Sequence, residues 1–248
     1  MLPDSHHQRQ ERLMGVLIAI KEGVKSLASL DYTLQASFEP GTPRVYTDFT
    51  FKNQIYMLNF KQRLPLVTRG PNGHLLFLAS SNGLPQQLLV KLVAGDRYGV
   101  DAHRKLAEAG FSPVLFDVVK VKGAPAAYIM EYIPSSDGWD TLYDYAKKHQ
   151  DVTSHIQGPL KQITDFMEKE NIVHGDLRPN NILVRQAVSS QALELKVVDF
   201  DWAGVAGEAR YPWRRNEGIS WPAGPGEPIL PGHDYALLMA CLKQIHEV

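Results

Sequence analysis

The chain has 248 residues, 44% of them hydrophobic and 21% charged, which is enough apolar content for a large buried core and excludes a disordered chain. Lys plus Arg number 26 against 27 for Asp plus Glu, so the net charge is -1 and a globally basic nucleic-acid binder is not expected. The single cysteine, Cys241, excludes an intramolecular disulfide and a Cys-based zinc cluster. No apolar run approaches the roughly 20 residues that span a bilayer, and MLPDSHHQRQER lacks a basic-then-apolar signal pattern. These features predict a cytoplasmic protein, with the nucleus also compatible and no membrane partner.

Residues 10–30 carry Leu13, Leu17, Ile20, Val24 and Leu27 at steps of three or four, which predicts a helix. FEPGTPR then breaks the pattern, so residues 1–43 read as a helical arm and linker, with the arm packing on the next domain. From Arg44 to Ile133 the chain is strand-rich: RVYTDFTF, NQIYMLNF, LPLVTRG, HLLFLAS and QQLLVKLV are separated by turn residues, among them Asn82-Gly83. VDAHRKLAEAG predicts a short helix ended by Gly110, and VLFDVVKVKG with PAAYIMEYI a further hairpin. After IPSSDGWD the period turns helical, with one helix at TLYDYAKKH and another along Ile156, Leu160, Ile163 and Met167. NIVHGDLRPNNILV and LELKVVDFDWAG predict short strands and loops. Residues 205–233 form a long irregular segment, and YALLMACLKQI a closing apolar helix. The order predicts an α+β protein with a cleft between a strand-rich and a helix-rich lobe.

The densest chemistry lies in His174-Gly175-Asp176-Leu177-Arg178-Pro179-Asn180-Asn181, where Gly175 and Pro179 exclude a regular helix. Asp199 comes later, at the end of an apolar strand. Phosphoryl transfer uses such a set. One carboxylate orients or deprotonates a hydroxyl, while an amide oxygen and a second carboxylate hold Mg2+, which prefers hard oxygen ligands. Asp and Asn are also common turn residues, but their ordered occurrence with Lys91 and Asp199 argues against that simpler reading. Lys91, flanked by Leu89, Val90, Leu92 and Val93, needs a carboxylate partner if buried. His174 reads as a packed loop histidine, and His103, His155 and His233 show no zinc spacing. Arg210, Arg214 and Arg215 among Tyr211, Trp213 and Trp221 fit an aromatic-anchored loop or recognition of an acidic substrate; we take the first reading.

On these motifs the sequence resembles the protein-kinase-like superfamily. HGDLRPNN is similar to its catalytic loop, VVDFD to the strand leading into its metal-binding turn, LLVKLV to its lysine strand and MEYI to its hinge. HDYALL resembles the start of the central helix of the second lobe, so the likeness covers roughly residues 60–248. It implies a bilobal fold, with an N-lobe to the hinge at 44–133 and a reduced C-lobe at 134–248, cut short after the central helix. It also implies Asp176 as catalytic acid or base, Arg178 as the cation beside the γ-phosphate, and Asn181 and Asp199 as Mg2+ ligands. Lys91 would position the ATP phosphates, held by Asp101 from the next helix. Gly70 and Gly73 would stand in the phosphate loop, Glu131 to Ile133 at the adenine and Asp137 near the ribose.

Four departures stand out. Arg69-Gly70-Pro71-Asn72-Gly73 replaces a full glycine-rich loop, Gly175 replaces an arginine, Asp201 replaces the glycine of the metal turn, and Asp101 is one methylene shorter than the usual glutamate. The loss of that arginine implies no control through a phosphorylated activation segment. Asp201 fits a left-handed turn residue or an extra acid near the metal. Three functions fit the sequence: an ATP-dependent protein serine/threonine kinase, suggested by Leu177-Arg178-Pro179; a small-molecule kinase of the aminoglycoside or sugar type; and a pseudokinase scaffold. Pro71 removes one backbone donor from the phosphate loop. Calorimetric titration with Mg·ATP is therefore expected to give a dissociation constant above the micromolar mark, and a sub-micromolar value would contradict this reading of the loop.

Overall fold

The computed structural model describes residues 43–64, 75–95, 97–187 and 192–246, all within the compact unit 39–248. The N-terminal arm up to residue 42, nearly all of the LPLVTRG segment, and Gly70 and Gly73 lie outside the described residues.

Six strands form the first layer: β1 (Asp48–Phe51), β2 (Gln54–Arg63), β3 (Leu75–Ser81), β4 (Leu84–Val93), β5 (Leu115–Val119) and β6 (Ala126–Glu131). Their order is β1-β2-β3-β4-β6-β5, with every neighbour antiparallel. Asn82-Gly83 makes the β3–β4 turn, as expected. Side chains alternate across β4. Leu88, Val90 and Leu92 join Phe49, Phe77, Phe116 and Ile129 in one core, while Val93 on the opposite face joins the core shared with the helices. Lys91 lies on that second face, opposite Tyr128 of β6. The sheet curls until its two edges meet. The Thr50 amide donates to Asp117 Oδ2 at 2.7 Å, Phe51 packs edge-on against Phe116 at 5.0 Å, and the Tyr46 hydroxyl donates to the Pro125 carbonyl.

Helix α1 (Val100–Glu108) is embedded between β4 and β5, as the sequence predicts. Helices dominate the second half: α2 (Leu142–Lys148), α3 (Val152–Lys169) and α4 (His233–His246). Thr141 caps α2, its Oγ1 accepting from the Asp144 amide at 3.0 Å. The expected stripe Ile156, Leu160, Ile163 and Met167 is the buried face of α3. Short strands β7 (Asp140–Thr141), β9 (Ile182–Gln186) and β10 (Leu193–Val197) form one sheet, and β8 (Ile172–Val173) pairs with β11 (Gly204–Val205). Residues 206–232 form an irregular segment packed around Tyr211, Ile229, Trp202 and Trp221. No described helix is long and apolar enough to cross a membrane.

Gly99 lets α1 approach the 199–203 segment: a Cβ there would stand 2.4 Å from the Ala203 carbonyl oxygen, and the Gly99 amide donates to the Phe200 carbonyl at 2.8 Å. His103 then locks the helix down. Its Nε2 lies 2.9 Å from the Pro113 carbonyl, which can only accept, so Nε2 carries the proton and Nδ1 accepts from the Tyr98 hydroxyl at 2.8 Å. The ring stacks on Phe200 at 4.3 Å. Burial pushes the His103 imidazole down from 6.5 to about 4. The unfolded chain therefore binds a proton between those values that the folded chain refuses. Stability should fall as pH drops from 6.5 towards 4, by up to roughly 3 kcal/mol from this group. Denaturant melts of wild type and His103→Gln across that window check this, since the variant should lose that share of the pH dependence.

Candidate active site

The loop from His174 to Asn181 joins β8 to β9, and a buried acid from α4 fixes its path. Asp234 accepts the His174 amide on Oδ2 at 2.7 Å and the Gly175 amide on Oδ1 at 2.8 Å. Burial pushes its carboxyl above the usual range, and these two bonds with the nearby His174 act against that rise. Gly175 has φ +80°, and a Cβ there would meet Ile229 Cδ1 at 2.6 Å and the Trp202 carbonyl oxygen at 3.1 Å. The positive φ strains any residue with a side chain, and a Cβ would also press on Ile229 and Trp202, so glycine suits this position. His174 is a packed loop histidine, as read from the sequence. Nε2 contacts the Val198 carbonyl at 3.1 Å, and the ring meets Phe200 edge-on at 5.2 Å.

Past the glycine, Asp176 is buried and its carboxylate is held from two sides. Arg178 grips it in a fork, Nε to Oδ1 and Nη2 to Oδ2 at 2.8 Å. Asn181 Nδ2 donates to Oδ2 at 3.0 Å and to the Asp176 carbonyl at 2.8 Å. Burial raises the Asp176 carboxyl above the ordinary carboxylate value, and Arg178 pulls against that rise. Arg178 also stacks over Trp221 at 5.6 Å, so the resting guanidinium is committed to Asp176 rather than pointing freely into the cleft.

Opposite this loop stands Asp199, at the end of β10. It takes the left-handed backbone itself, at φ +70°, a role that the sequence left open for Asp201 beside that of an extra acid. Asp201 is instead the extra acid. The buried Lys91 ammonium pairs with Asp199 Oδ1 and with Asp201 Oδ1, the latter at 2.6 Å. Burial alone would depress the Lys91 ammonium, but the two carboxylates outweigh it and hold it above lysine's usual range.

The donor set fits Mg2+. With its nitrogen given to Asp176, Asn181 has its amide oxygen left for a hard cation. The Asp199 side chain is 42% exposed. Two protein oxygens suit an ion that takes its other ligands from phosphates and water. Among the described residues no cluster of three or more His, Cys, Asp or Glu forms a self-sufficient metal cage.

One expected site residue is displaced. Asp101 does not hold Lys91. It lies exposed on the first turn of α1 and lines, with Arg104, Glu108 and Glu170, a surface cavity of about 530 Å³. At the inward side of that helix stands neutral His103. Glu131 is also committed: its amide donates to the Val114 carbonyl at 2.8 Å, and Oε2 accepts the Val114 amide at 3.1 Å. Half-buried Ile133 lies next on the hinge, and Asp137 is exposed in a short 3-10 turn. In the irregular segment Arg215 lies between Tyr211 (5.1 Å) and Trp221 (5.3 Å) and donates to the Ala223 carbonyl at 2.5 Å, which is the anchored arrangement. Sequence reasoning placed Asp234 only as the acid opening a helix that resembles the central helix of the second lobe, read Trp221 only as a ring of the anchored loop, and left the role of Asp201 open. It did not find the hold of Asp234 on the loop amides or the contact of Trp221 with Arg178.

Three comparisons bear on this geometry. Residues 99–216 match the family described as Lipopolysaccharide kinase (Kdo/WaaP). The chain is 28% identical over 83 residues to the SNF1-related protein kinase catalytic subunit alpha KIN12 of Arabidopsis thaliana; the match covers 34% of the chain and 16% of that protein, so the chain spans about a sixth of this relative's length. The fold aligns with the Cydia pomonella granulovirus kinase PK-1 at a TM-score of 0.54 and 18% identity, covering 76% of this chain and 67% of that one. With Lys91, the 174–181 loop and Asp199 brought together on an α+β scaffold, the chain has a protein-kinase-like fold.

Proposed function

We propose that the chain transfers the γ-phosphate of Mg·ATP to a hydroxyl group, with a serine or threonine of a protein as the acceptor. The observation that carries the phosphotransfer reading is the convergence of Asp176, Asn181, Asp199 and Lys91 from separate stretches of sequence. In the step, the acceptor oxygen forms a bond to Pγ as the bond from Pγ to the β-bridging oxygen breaks, and ADP leaves. Asp176 orients the hydroxyl and takes its proton. Oδ2 already accepts two hydrogen bonds, whereas Oδ1 accepts one and keeps a lone-pair direction for the incoming group. Lys91 binds phosphate oxygens. Asn181 and Asp199 would hold Mg2+, which when bound would neutralise charge on the phosphates.

The protein acceptor is supported by Leu177-Arg178-Pro179 and by the exposed segment beyond it, where Trp213 is 82% exposed. A second reading, a small sugar-like acceptor, is supported by the match of residues 99–216 to the lipopolysaccharide kinase family and by the glycine at 175. Incubation with radiolabelled ATP, a mixture of generic proteins and a panel of small polyols separates the two. Label on protein and none on polyols supports the first, and the reverse transfers the conclusion to the second. Asp176→Ala and Asp199→Ala should each lower turnover by about 100-fold or more. If wild type shows no turnover, or neither substitution changes it, the enzyme reading is lost and a scaffold role stands. The proton acceptor must be ionised, and burial raises its carboxyl. The acid limb of kcat/KM should therefore lie above the ordinary carboxylate value, and Arg178→Ala should move it higher still.

A further inference from the structure

The position of Lys91 raises a question that the superfamily likeness does not answer. A buried ammonium is costly without a counter-charge, and the helix that would supply one offers none. Asp101 is turned to solvent, and of the inward residues Ala102, His103 and Leu106 the polar one is His103, held neutral by its bonds to Tyr98 and Pro113. Lys91 instead sits 5.5 Å above the Tyr98 ring, which stacks on Tyr128 at 4.0 Å, and reaches two acids from one short segment.

Those two acids are not equivalent. The Asp199 side chain is 42% exposed and stands at the end of the strand that leads to the metal turn. The Asp201 side chain is only 14% exposed, on the inner side of the same segment. A cation in the cleft competes with Lys91 for Asp199, because both want the same carboxylate. It does not compete in the same way for the more enclosed Asp201.

We infer that Asp201 is the positioning carboxylate of Lys91, doing from the metal-binding segment what a helix acid would otherwise do. Asp199 is thereby released for the cation while Lys91 keeps a partner. The alignment of the lysine is set by the 199–203 segment, onto which α1 is itself docked through Gly99 and His103. It does not depend on a carboxylate carried by α1. This inference rests on the phosphotransfer reading for its catalytic consequence, but the pairing itself is a property of the protein alone.

The test uses the full chain as wild type, Asp201→Asn, Asp201→Glu and Asp101→Asn. Without nucleotide or metal, the rate of Lys91 acetylation by acetic anhydride is measured by peptide mass spectrometry. Asp201→Asn should raise that rate at least fivefold, Asp201→Glu should restore it, and Asp101→Asn should leave it within twofold of wild type. Asp201→Ser serves the same comparison if the asparagine variant does not fold. With nucleotide, Mn2+ binding to the protein–ADP complex, read by electron paramagnetic resonance, should weaken at least fivefold in Asp201→Asn, because Lys91 then holds Asp199 alone. In ATP turnover the loss should appear chiefly as a higher KM for ATP, again restored by Asp201→Glu. The inference is overturned if Asp101→Asn exposes Lys91, or if neither Asp201→Asn nor Asp201→Ser does. The expected acetylation pattern in a protein that neither binds Mn·ADP nor turns over ATP would sink the phosphotransfer reading and leave the pairing standing.

Discussion

The site depends first on one buried carboxylate. Asp234, at the head of α4, accepts the consecutive amides of His174 and Gly175 and so sets the path of the loop that presents Asp176. A carboxylate removed from water is unfavourable on its own, and hydrogen bonds to a charged group recover about 1.5–3 kcal/mol each. The arrangement therefore holds only while both amides point inward. In that orientation Gly175 stands in the left-handed region against Ile229 and Trp202, where a side chain would be strained. A single helix thus fixes both the geometry of the loop and the residue type favoured in its middle.

From that anchor a column of rings joins the two halves beside the Lys91 ion pairs. His174 meets Phe200, Phe200 stacks on His103, and His103 is bound to Tyr98, which lies on Tyr128 of β6. This column passes directly beneath the Lys91 pair. An aromatic column with satisfied polar tips tolerates the low-dielectric surroundings that make the acids beside it strong partners. The 174–181 loop, α1 and the sheet are packed around Phe200, which is fully buried.

Much of this was legible in the sequence. The spacing of Asp176 and Asn181, the acid at the end of an apolar strand and the lysine among leucines and valines were local patterns, and local chemistry keeps its meaning when the chain folds. The Asn82-Gly83 turn and the stripe of α3 were readable for the same reason. The partner of Lys91 was not. Asp101 and Asp201 are both acids in plausible positions along the chain, and which of them reaches the ammonium depends on the rotation of α1. That rotation is set by Gly99 against Ala203 and by His103 in its pocket, contacts between distant segments that no local pattern encodes. The hold of Asp234 on the loop amides and the contact of Trp221 with Arg178 were hidden likewise, since each joins residues more than 40 positions apart.

The curl of the first sheet carries a consequence of its own. Edge strands ordinarily offer a row of unpaired amides and carbonyls to any extended chain that approaches. Here β1 and β5 are turned on each other, with the Thr50 amide taken by Asp117 and aromatic rings filling the seam. The seam crowds both edges against an added strand, whether from a binding peptide or from a second copy in an aggregate. Away from it, described β2 exposes the apolar side chains of Ile55 and Met57.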